Sequence, residues 1–212
     1  MIWTRVAGET HGRTVVADRA VCGVDYDDTL AMSNEALIAL HNERYGTSHE
    51  VGPDSYDLPV LWGVSRDEVE RRFMEYVESV AHDRVEALPH ARKVLQVLSE
   101  RFDIALITGR LEETERRTRV WLNAVTPGVF SDLVFTNQFS RVPGKVRTKG
   151  HVCIELKVDV FIEDSASHAI QVVEHSPKTR VLLLDTIWNQ GFKHPRIERV
   201  PSWKHLPRLL GL

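Results

Sequence analysis

The apolar positions of the chain form short continuous runs that alternate with amphipathic stretches. Five runs are typical of buried strands: 20–26, 103–109, 131–137, 158–165 and 179–185. Five stretches with helical spacing lie between or after them: 91–102, 111–125, 149–156, 166–176 and 201–212. Strands separated by helices imply right-handed crossovers and a mostly parallel sheet. The pattern therefore predicts an α/β fold with a Rossmann-like, three-layer core.

One block interrupts this alternation directly after the first predicted strand. Residues 33–45 favour a helix that ends at Gly46, and 65–80 has one apolar helical face. Residues 46–63, between them, contain two prolines and three glycines and predict a loop. We interpret 33–85 as a small helical cap over the strand ends, inserted into a core made of 1–32 and 86–212. The first 18 residues favour a short hairpin, with a turn around "AGETHG".

Composition narrows the class of protein. The 212 residues are 42% hydrophobic and 27% charged, as in ordinary globular domains, and the formal net charge is -3. This balance does not indicate binding to a nucleic-acid polymer or a membrane, and no run has the length of a membrane span. The first residues do not resemble a signal peptide, and two cysteines cannot form a disulfide framework. We therefore expect a cytoplasmic protein, and nothing in the pattern specifies an oligomeric state.

Polar residues lie at the ends of three of the predicted strands. Asp25 and Asp27 lie at the end of the first, Thr108 lies at the end of the second, and Glu163 and Asp164 lie at the end of the fourth. Lys149 begins the helix before that fourth strand. In open α/β sheets, ligands bind outside the carboxyl ends of the strands. Carboxylates, a hydroxyl and a lysine at that edge predict an anion site with a hard cation, and Mg²⁺ suits a site with few carboxylates.

These motifs resemble those of the haloacid dehalogenase-like (HAD) hydrolase superfamily. "DYDDTLA" is similar to its first motif, "LITGR" to its second, and a lysine followed by "FIEDS" to its third and fourth. The resemblance extends from residue 20 to about 190 and implies the strand order 3-2-1-4-5. "SYDLPVLWGVSRDEV", "KGHVCIELKVDVFIEDS" and "LLLDTIWNQ" further resemble the 5'(3')-deoxyribonucleotidase branch and its uncharacterised relatives. Asp28 stands where many members have glycine, and we assign it no catalytic role.

The resemblance implies a role for each aspartate of the motifs. Asp25 would attack phosphorus and form an aspartyl-phosphate. Asp27 would protonate the leaving oxygen and later take a proton from the attacking water. Residues i and i+2 of an extended chain point the same way, so both carboxylates can flank one phosphoryl group. Mg²⁺ would be held by Asp25, Asp164 and the main-chain carbonyl of Asp27.

Four residues are expected around the phosphate: Thr108, Gly109, Arg110 and Lys149. Arg110 has a second interpretation, since it can pair with acidic side chains of its own helix instead of substrate. Lys145 and Lys157 compete with Lys149 as the motif lysine. Glu163 is expected to support a metal ligand rather than to bind the metal itself.

The substrate is less well specified, because it depends on the cap. Tyr56, Trp62 and Phe73 can cover the leaving group, or they can form the small core of the cap. Trp188 and Asn189 follow the last predicted strand and can border the same crevice. The favoured function is a Mg²⁺-dependent phosphomonoesterase for a small phosphorylated metabolite, with a nucleoside monophosphate as first choice. The alternatives are a sugar phosphatase or phosphomutase on the same core, and a catalytically silent binding protein. Aspartate at position 27 argues against carbon–halogen chemistry, because a halide leaves without a proton.

Overall fold

The computed structural model describes residues 19–212, so the predicted hairpin at 1–18 lies outside the described residues. A parallel six-stranded sheet has the order β3-β2-β1-β4-β5-β6. Its strands are β1 Ala20–Val24, β2 Phe102–Thr108, β3 Phe130–Phe135, β4 Val158–Glu163, β5 Arg180–Leu184 and β6 Ile197–Val200. The predicted fold class and the order of the five predicted strands are confirmed.

The sixth strand was not predicted from the sequence. β6 has four residues, "IERV", and pairs with β5 at the edge of the sheet. Only Ile197 and Val200 of this strand are buried. A pattern so short and half polar carries little strand signal, and pairing with β5 supplies what the local sequence lacks.

The helices cover both faces of the sheet and fill the segment after β1. They are α1 Ser33–Tyr45, α2 Leu58–Trp62, α3 Arg66–Val77, α4 Val80–Asp83, α5 Ala91–Leu98, α6 Glu115–Val125, α7 Lys149–Glu155, α8 Ala166–His175 and α9 Leu206–Leu209. The predicted loop at 46–63 was partly wrong, since it contains α2 and a 3₁₀ turn at Pro53–Tyr56. The closing helix at 201–212 is shorter than expected, because α9 has one turn. No helix within residues 19–212 is long and apolar enough to cross a membrane.

Alternate residues of the strands build two separate cores, which makes the fold three-layered. Val160 and Ile162 of β4 belong to the core that packs against α5, α6 and the C-terminal helix. Phe161, between them, belongs to the core under α7 and α8. Because successive side chains of a strand point to opposite faces, the continuous apolar run serves both cores.

The segment 33–85 has a small core of its own. Leu37, Trp62, Tyr76 and Val77 are its buried members. The two connections to the sheet run side by side: Met32 N donates to Glu86 O at 2.8 Å, and Leu88 N donates to Leu30 O at 2.8 Å. The chain therefore leaves and rejoins the α/β core at one place.

The packing of α7 on α8 leads to a prediction about Gly150. A Cβ atom at this position would lie 2.6 Å from Gln171 O and 2.8 Å from His175 Cβ. We expect Gly150→Ala to destabilise the protein by about 1–3 kcal/mol, because one helix must move. In a chain of this size that corresponds to roughly 2–4 °C of melting temperature for each kcal/mol.

Thermal denaturation followed by circular dichroism measures the effect. Gly52→Ala is the matched control, since its added Cβ would meet only Glu50 O, at 3.9 Å. Equal melting temperatures for wild type and Gly150→Ala would show that α7 and α8 are not tightly packed.

Candidate active site

The carboxyl ends of β1, β2 and β4 lie side by side at the centre of the sheet. β1 lies between the other two, and Asp25 N donates to Ile162 O at 3.0 Å, which extends the β1–β4 ladder by one residue. Thr108 is the last residue of β2, and Glu163 is the last residue of β4. The structure thus brings the polar residues of the three motifs to one edge of the sheet.

Lys149, the first residue of α7, places its ammonium group between two carboxylates. Lys149 Nζ lies 2.7 Å from Asp25 Oδ1 and 2.7 Å from Glu163 Oε2. All three side chains are almost fully buried. Burial opposes the charge of Lys149, but Asp25 and Glu163 outweigh it and raise the lysine pKa above its usual value. This ammonium group offsets the repulsion between the acidic strand ends.

The two competing lysines lie elsewhere. Lys145 is partly exposed, and its Nζ lies 3.4 Å from Glu113 Oε1. Lys157 follows α7 in the left-handed backbone conformation, with φ of 53°, just before β4 begins. Lys149 is therefore the lysine that the structure places beside the acidic strand ends.

Both carboxylate oxygens of Glu163 are engaged by the protein. Oε2 accepts from Lys149, and Oε1 accepts from the amides of Asp164 and Ser165 at 3.2 and 3.0 Å. His168 Nδ1 lies 3.6 Å from the same Oε1. Burial acts to raise the pKa of Glu163, but Lys149 and His168 hold it below its usual value. Glu163 thus fixes both the ammonium group and the turn that follows β4.

Asp164 is held by two side-chain donors. Thr29 Oγ1 donates to its Oδ1 at 2.8 Å, and Trp188 Nε1 donates to its Oδ2 at 2.9 Å. Burial, with Glu163 and Asp25 nearby, raises the pKa of Asp164 well above its usual value. Burial likewise raises the pKa of Asp25 to about 7, against the lowering effect of Lys149. Both shifts follow from carboxylates that lie close together and away from water.

Asp25, Glu163 and Asp164 each bring one carboxylate oxygen within 4.8 Å of the others. Oxygen atoms this close can share one small hard cation. Three carboxylates face one ammonium group, which leaves an excess of two negative charges when all are ionised. The donor set and its charge therefore fit a divalent cation.

Asp27 forms a second ion pair, at the edge of an open cavity. Arg110 Nη2 lies 2.7 Å from Asp27 Oδ1, and Arg110 Nε lies 2.9 Å from Oδ2. Ser33 Oγ donates to Oδ1 at 2.5 Å, and the guanidinium group lies 3.8 Å from the centre of the Tyr26 ring. Partial burial acts to raise the pKa of Asp27, but Arg110 and Ser33 hold it below its usual value. Arg110, for which two interpretations were open, pairs with a motif aspartate.

The turn after β1 holds Asp28 in a backbone conformation that favours glycine. Its φ is 56°, in the left-handed region that glycine adopts without cost and aspartate tolerates. Asp28 N donates to Ala31 O at 2.7 Å, and Asp28 Oδ1 accepts from Asn34 N at 2.9 Å. These bonds close the turn that carries Asp25 and Asp27.

Thr108 and Gly109 lie where β2 ends. Thr108 is fully buried, and its Oγ1 accepts from Arg110 N at 3.2 Å. Gly109 borders the cavity, and a Cβ there would lie 2.6 Å from Gln138 Oε1. Thr108 and Gly109 therefore lie next to Arg110, whose side chain reaches Asp27.

A cavity of about 320 Å³ lies between this edge of the sheet and the segment 33–85. Asp25, Asp27 and Lys149 lie together at its charged end. The wall also has apolar and aromatic members: Tyr56, Leu58, Phe73, Leu111 and Phe139. The cavity thus offers both charged and apolar surface to a ligand.

The aromatic candidates of the helical segment have different positions. Tyr56 borders the cavity and is 48% exposed. Its ring lies 6.4 Å from that of Trp188, at an interplanar angle of 28°. Trp62 is 7% exposed and stacks on His41 at 4.2 Å, inside the core of the segment. Tyr56 and Phe73 therefore border the cavity, whereas Trp62 does not.

Three residues that hold the site were not singled out from the sequence: Thr29, Ser33 and His168. Thr29 is part of "DYDDTLA", so the motif itself carried a signal for its contact with Asp164. Trp188 and Asn189 were expected near the crevice because they follow the last predicted strand, where side chains reach the ligand edge of a parallel sheet. Ser33 and His168 gave no local signal, because both lie in ordinary helix-start patterns.

Structural neighbours share the fold at low sequence identity. The HAD hydrolase YfnB of Bacillus subtilis, solved with bound magnesium, has a TM-score of 0.60 at 13% identity, with 92% of this chain and 99% of that chain covered. A haloacid dehalogenase-like protein of Streptococcus pneumoniae has a TM-score of 0.64 at 10% identity, with 91% and 98% covered. The L-2-haloacid dehalogenase of Xanthobacter autotrophicus has a TM-score of 0.59 at 14% identity, with 91% and 98% covered.

The sequence comparisons are narrower. No curated protein matches the chain significantly. A family model described as "5' nucleotidase, deoxy (Pyrimidine), cytosolic type C protein" matches residues 19–210. The match includes every strand of the sheet and all the residues of the site. The chain therefore belongs to this nucleotidase family, and it is an enzyme of the HAD hydrolase superfamily, as its motifs predicted.

Proposed function

We propose that the chain is a Mg²⁺-dependent phosphomonoesterase that acts through an aspartyl-phosphate on Asp25. The observation that carries the proposal is the arrangement of Asp25, Lys149 and Asp27 at the charged end of one cavity. Family membership supports the same reaction class. The net reaction converts a phosphate monoester and water into an alcohol and inorganic phosphate.

In the first step, a carboxylate oxygen of Asp25 attacks phosphorus and the bond to the alcohol oxygen breaks. Asp27 gives a proton to that departing oxygen. An anionic phosphate beside Asp27 opposes its ionisation, so substrate binding favours the protonated form that the step needs. Lys149 lies against the attacking carboxylate and reduces its repulsion from the phosphate.

In the second step, water attacks the phosphorus of the aspartyl-phosphate. Asp27 takes the proton of that water, and the bond between phosphorus and the Asp25 oxygen breaks. The ion pair with Arg110 favours the ionised Asp27 that acts as this base. Arg110 therefore orients Asp27 and supports one of its two protonation states.

The metal site is proposed from the donor set. Asp25, Asp164 and the Asp27 carbonyl would hold Mg²⁺, which would neutralise charge between nucleophile and phosphate. Glu163 is the partner of Lys149 rather than a ligand, because its Oε1 already accepts from two amides and its Oε2 is held by the ammonium group. Each oxygen of Asp164 accepts from one donor only and keeps a lone pair free for a cation. The bound magnesium in the Bacillus subtilis neighbour supports the choice of ion.

The phosphate is proposed to lie among Thr108, Gly109, Arg110 and Lys149. The Gly109 backbone borders the cavity, and the lysine and arginine supply positive charge. The buried hydroxyl of Thr108 accepts from Arg110 N, so its own proton stays free for donation.

The substrate proposed is a small phosphorylated metabolite, with a nucleoside monophosphate as first choice. The charged end of the cavity suits a phosphate. The aromatic side chains of its wall, Tyr56, Phe73 and Phe139, suit contact with a planar leaving group. Residues 33–85 would act as the cap that selects it. Release of inorganic phosphate distinguishes this activity from that of a phosphomutase.

Two further observations bear on the proposal. Asp27 at the cavity favours an alcohol leaving group over a halide, which departs without a proton. Cys22 and Cys153 are free and buried, which suits the reducing cytoplasm proposed as the location.

Activity is predicted to require a divalent cation, and Mg²⁺ should suffice. The reason is that Asp25 and Asp164 are hard oxygen donors with too little positive charge around them. Turnover of a phosphate ester is measured after exhaustive chelation and again after Mg²⁺ is restored. Full activity in the chelated protein would contradict the metal-dependent mechanism.

The two motif aspartates should differ in their effects. Asp25→Asn removes the nucleophile, so turnover should vanish for every ester. Asp27→Asn should cost about 10²–10⁴ in rate with an alkyl phosphate, whose leaving group needs a proton. With a nitrophenyl phosphate the first step should be partly spared, and a burst of nitrophenol should precede slow turnover.

Rapid-mixing kinetics of both variants on both esters provide the test. Equal impairment of the first step for both esters would mean that Asp27 is not the general acid. Residual turnover by Asp25→Asn would rule out the covalent intermediate.

Tyr56 and Trp62 should separate substrate selection from cap stability. Tyr56→Ala should change the ranking among phosphorylated metabolites, because Tyr56 borders the cavity. Trp62→Leu should leave that ranking unchanged and lower stability by about 1–3 kcal/mol, because Trp62 is buried against His41. A substrate panel and thermal denaturation measure both effects, and an unchanged ranking in Tyr56→Ala would remove it from the substrate site.

A further inference from the structure

Trp188 connects the helical segment to the acidic strand ends. It lies in a 3₁₀ turn after β5, at Ile187–Asn189. Its indole nitrogen donates to Asp164 Oδ2 at 2.9 Å, while its ring lies against Tyr56. One side chain thus contacts a proposed metal ligand and the wall of the cavity.

The turn that carries Trp188 is firmly anchored. Asn189 Nδ2 donates to Asp164 O at 2.8 Å and to Leu184 O at 2.7 Å. Arg199 Nη1 donates to Asn189 O at 2.8 Å, and Arg199 Nη2 donates to Asn189 Oδ1 at 3.0 Å. Asn189, the residue after Trp188, is therefore tied to the ends of β4 and β5 and to β6. These bonds restrict the direction of the indole N–H of Trp188.

The bond fixes one oxygen of Asp164, and Thr29 fixes the other. A carboxylate with a donor on each oxygen cannot rotate without losing both hydrogen bonds. Groups of this kind orient metal ligands, and their loss usually weakens metal binding. The ring of Tyr56, which borders the cavity, stacks beside the indole with 6.4 Å between the ring centres.

We propose that Trp188 is a positioning residue that orients Asp164 for the metal, and that Tyr56 holds Trp188 in place. The inference rests on the proposed function, because it assumes that Asp164 binds a divalent cation. It adds a physical link between the helical segment and the metal site.

The test is the affinity of the metal-stripped full chain for Mg²⁺ alone, measured by isothermal titration calorimetry. Trp188→Phe keeps an aromatic ring beside Tyr56 but removes the N–H donor. We expect its dissociation constant to rise about 10- to 100-fold. Tyr56→Leu alone should weaken Mg²⁺ binding. Added to Trp188→Phe, it should have no further effect, because the N–H donor is already absent.

Trp62→Phe is the matched control. It also removes an indole N–H, and among the residues that the structure describes Trp62 Nε1 has no hydrogen-bond partner. It should bind Mg²⁺ with wild-type affinity. Circular dichroism checks that each variant is folded. Should Trp188→Phe not fold, the exposed position 56 remains testable through Tyr56→Leu alone.

The outcomes separate the inference from the proposed function. Wild-type Mg²⁺ affinity in a folded Trp188→Phe, or in Tyr56→Leu when that is the usable variant, would overturn the inference and leave the phosphatase proposal intact. A wild-type protein that binds no Mg²⁺ would overturn both.

Discussion

The contact of the Lys149 ammonium group with Asp25 and Glu163 is the constraint on which the site depends. Buried carboxylates at neighbouring strand ends repel each other, and an unpaired one is costly in an apolar interior. Lys149 can reach both because α7 begins at the ligand edge and packs closely on α8 through Gly150. The position of the Lys149 ammonium group therefore depends on how α7 packs with α8 against one face of the sheet.

The second ion pair, between Asp27 and Arg110, has a different environment. Both ion pairs border the cavity, but the Asp27 side chain is partly exposed, whereas Asp25 and Lys149 are almost fully buried. The two carboxylates lie two residues apart, yet burial raises the pKa of Asp25 and Arg110 lowers that of Asp27. These shifts follow from what faces each side chain at the strand ends. In the proposed mechanism a cation beside Asp25 would lower its pKa and a phosphate beside Asp27 would raise that of Asp27, so the roles depend on bound metal and substrate.

Much of the fold could be predicted because its signals are local. Continuous apolar runs marked the five central strands, and helical spacing marked the elements between them. β6 and α2 escaped prediction because both are short, and their stability comes from contacts with β5 and with the core of the helical segment. The positions of the acidic motif residues followed from a general rule, since parallel strands present their carboxyl ends at one edge.

The sequence by itself determined the α/β class, the acidic motif positions and the hydrolase superfamily, because each depends on residue type and spacing along the chain. Only the tertiary structure decided that Lys149 rather than Lys145 meets Asp25, that Arg110 pairs with Asp27, and that Tyr56 but not Trp62 borders the cavity. It also revealed the contact between Trp188 and Asp164. These contacts join residues far apart in the chain, and no local pattern encodes them. They depend on how helices and loops pack around the sheet.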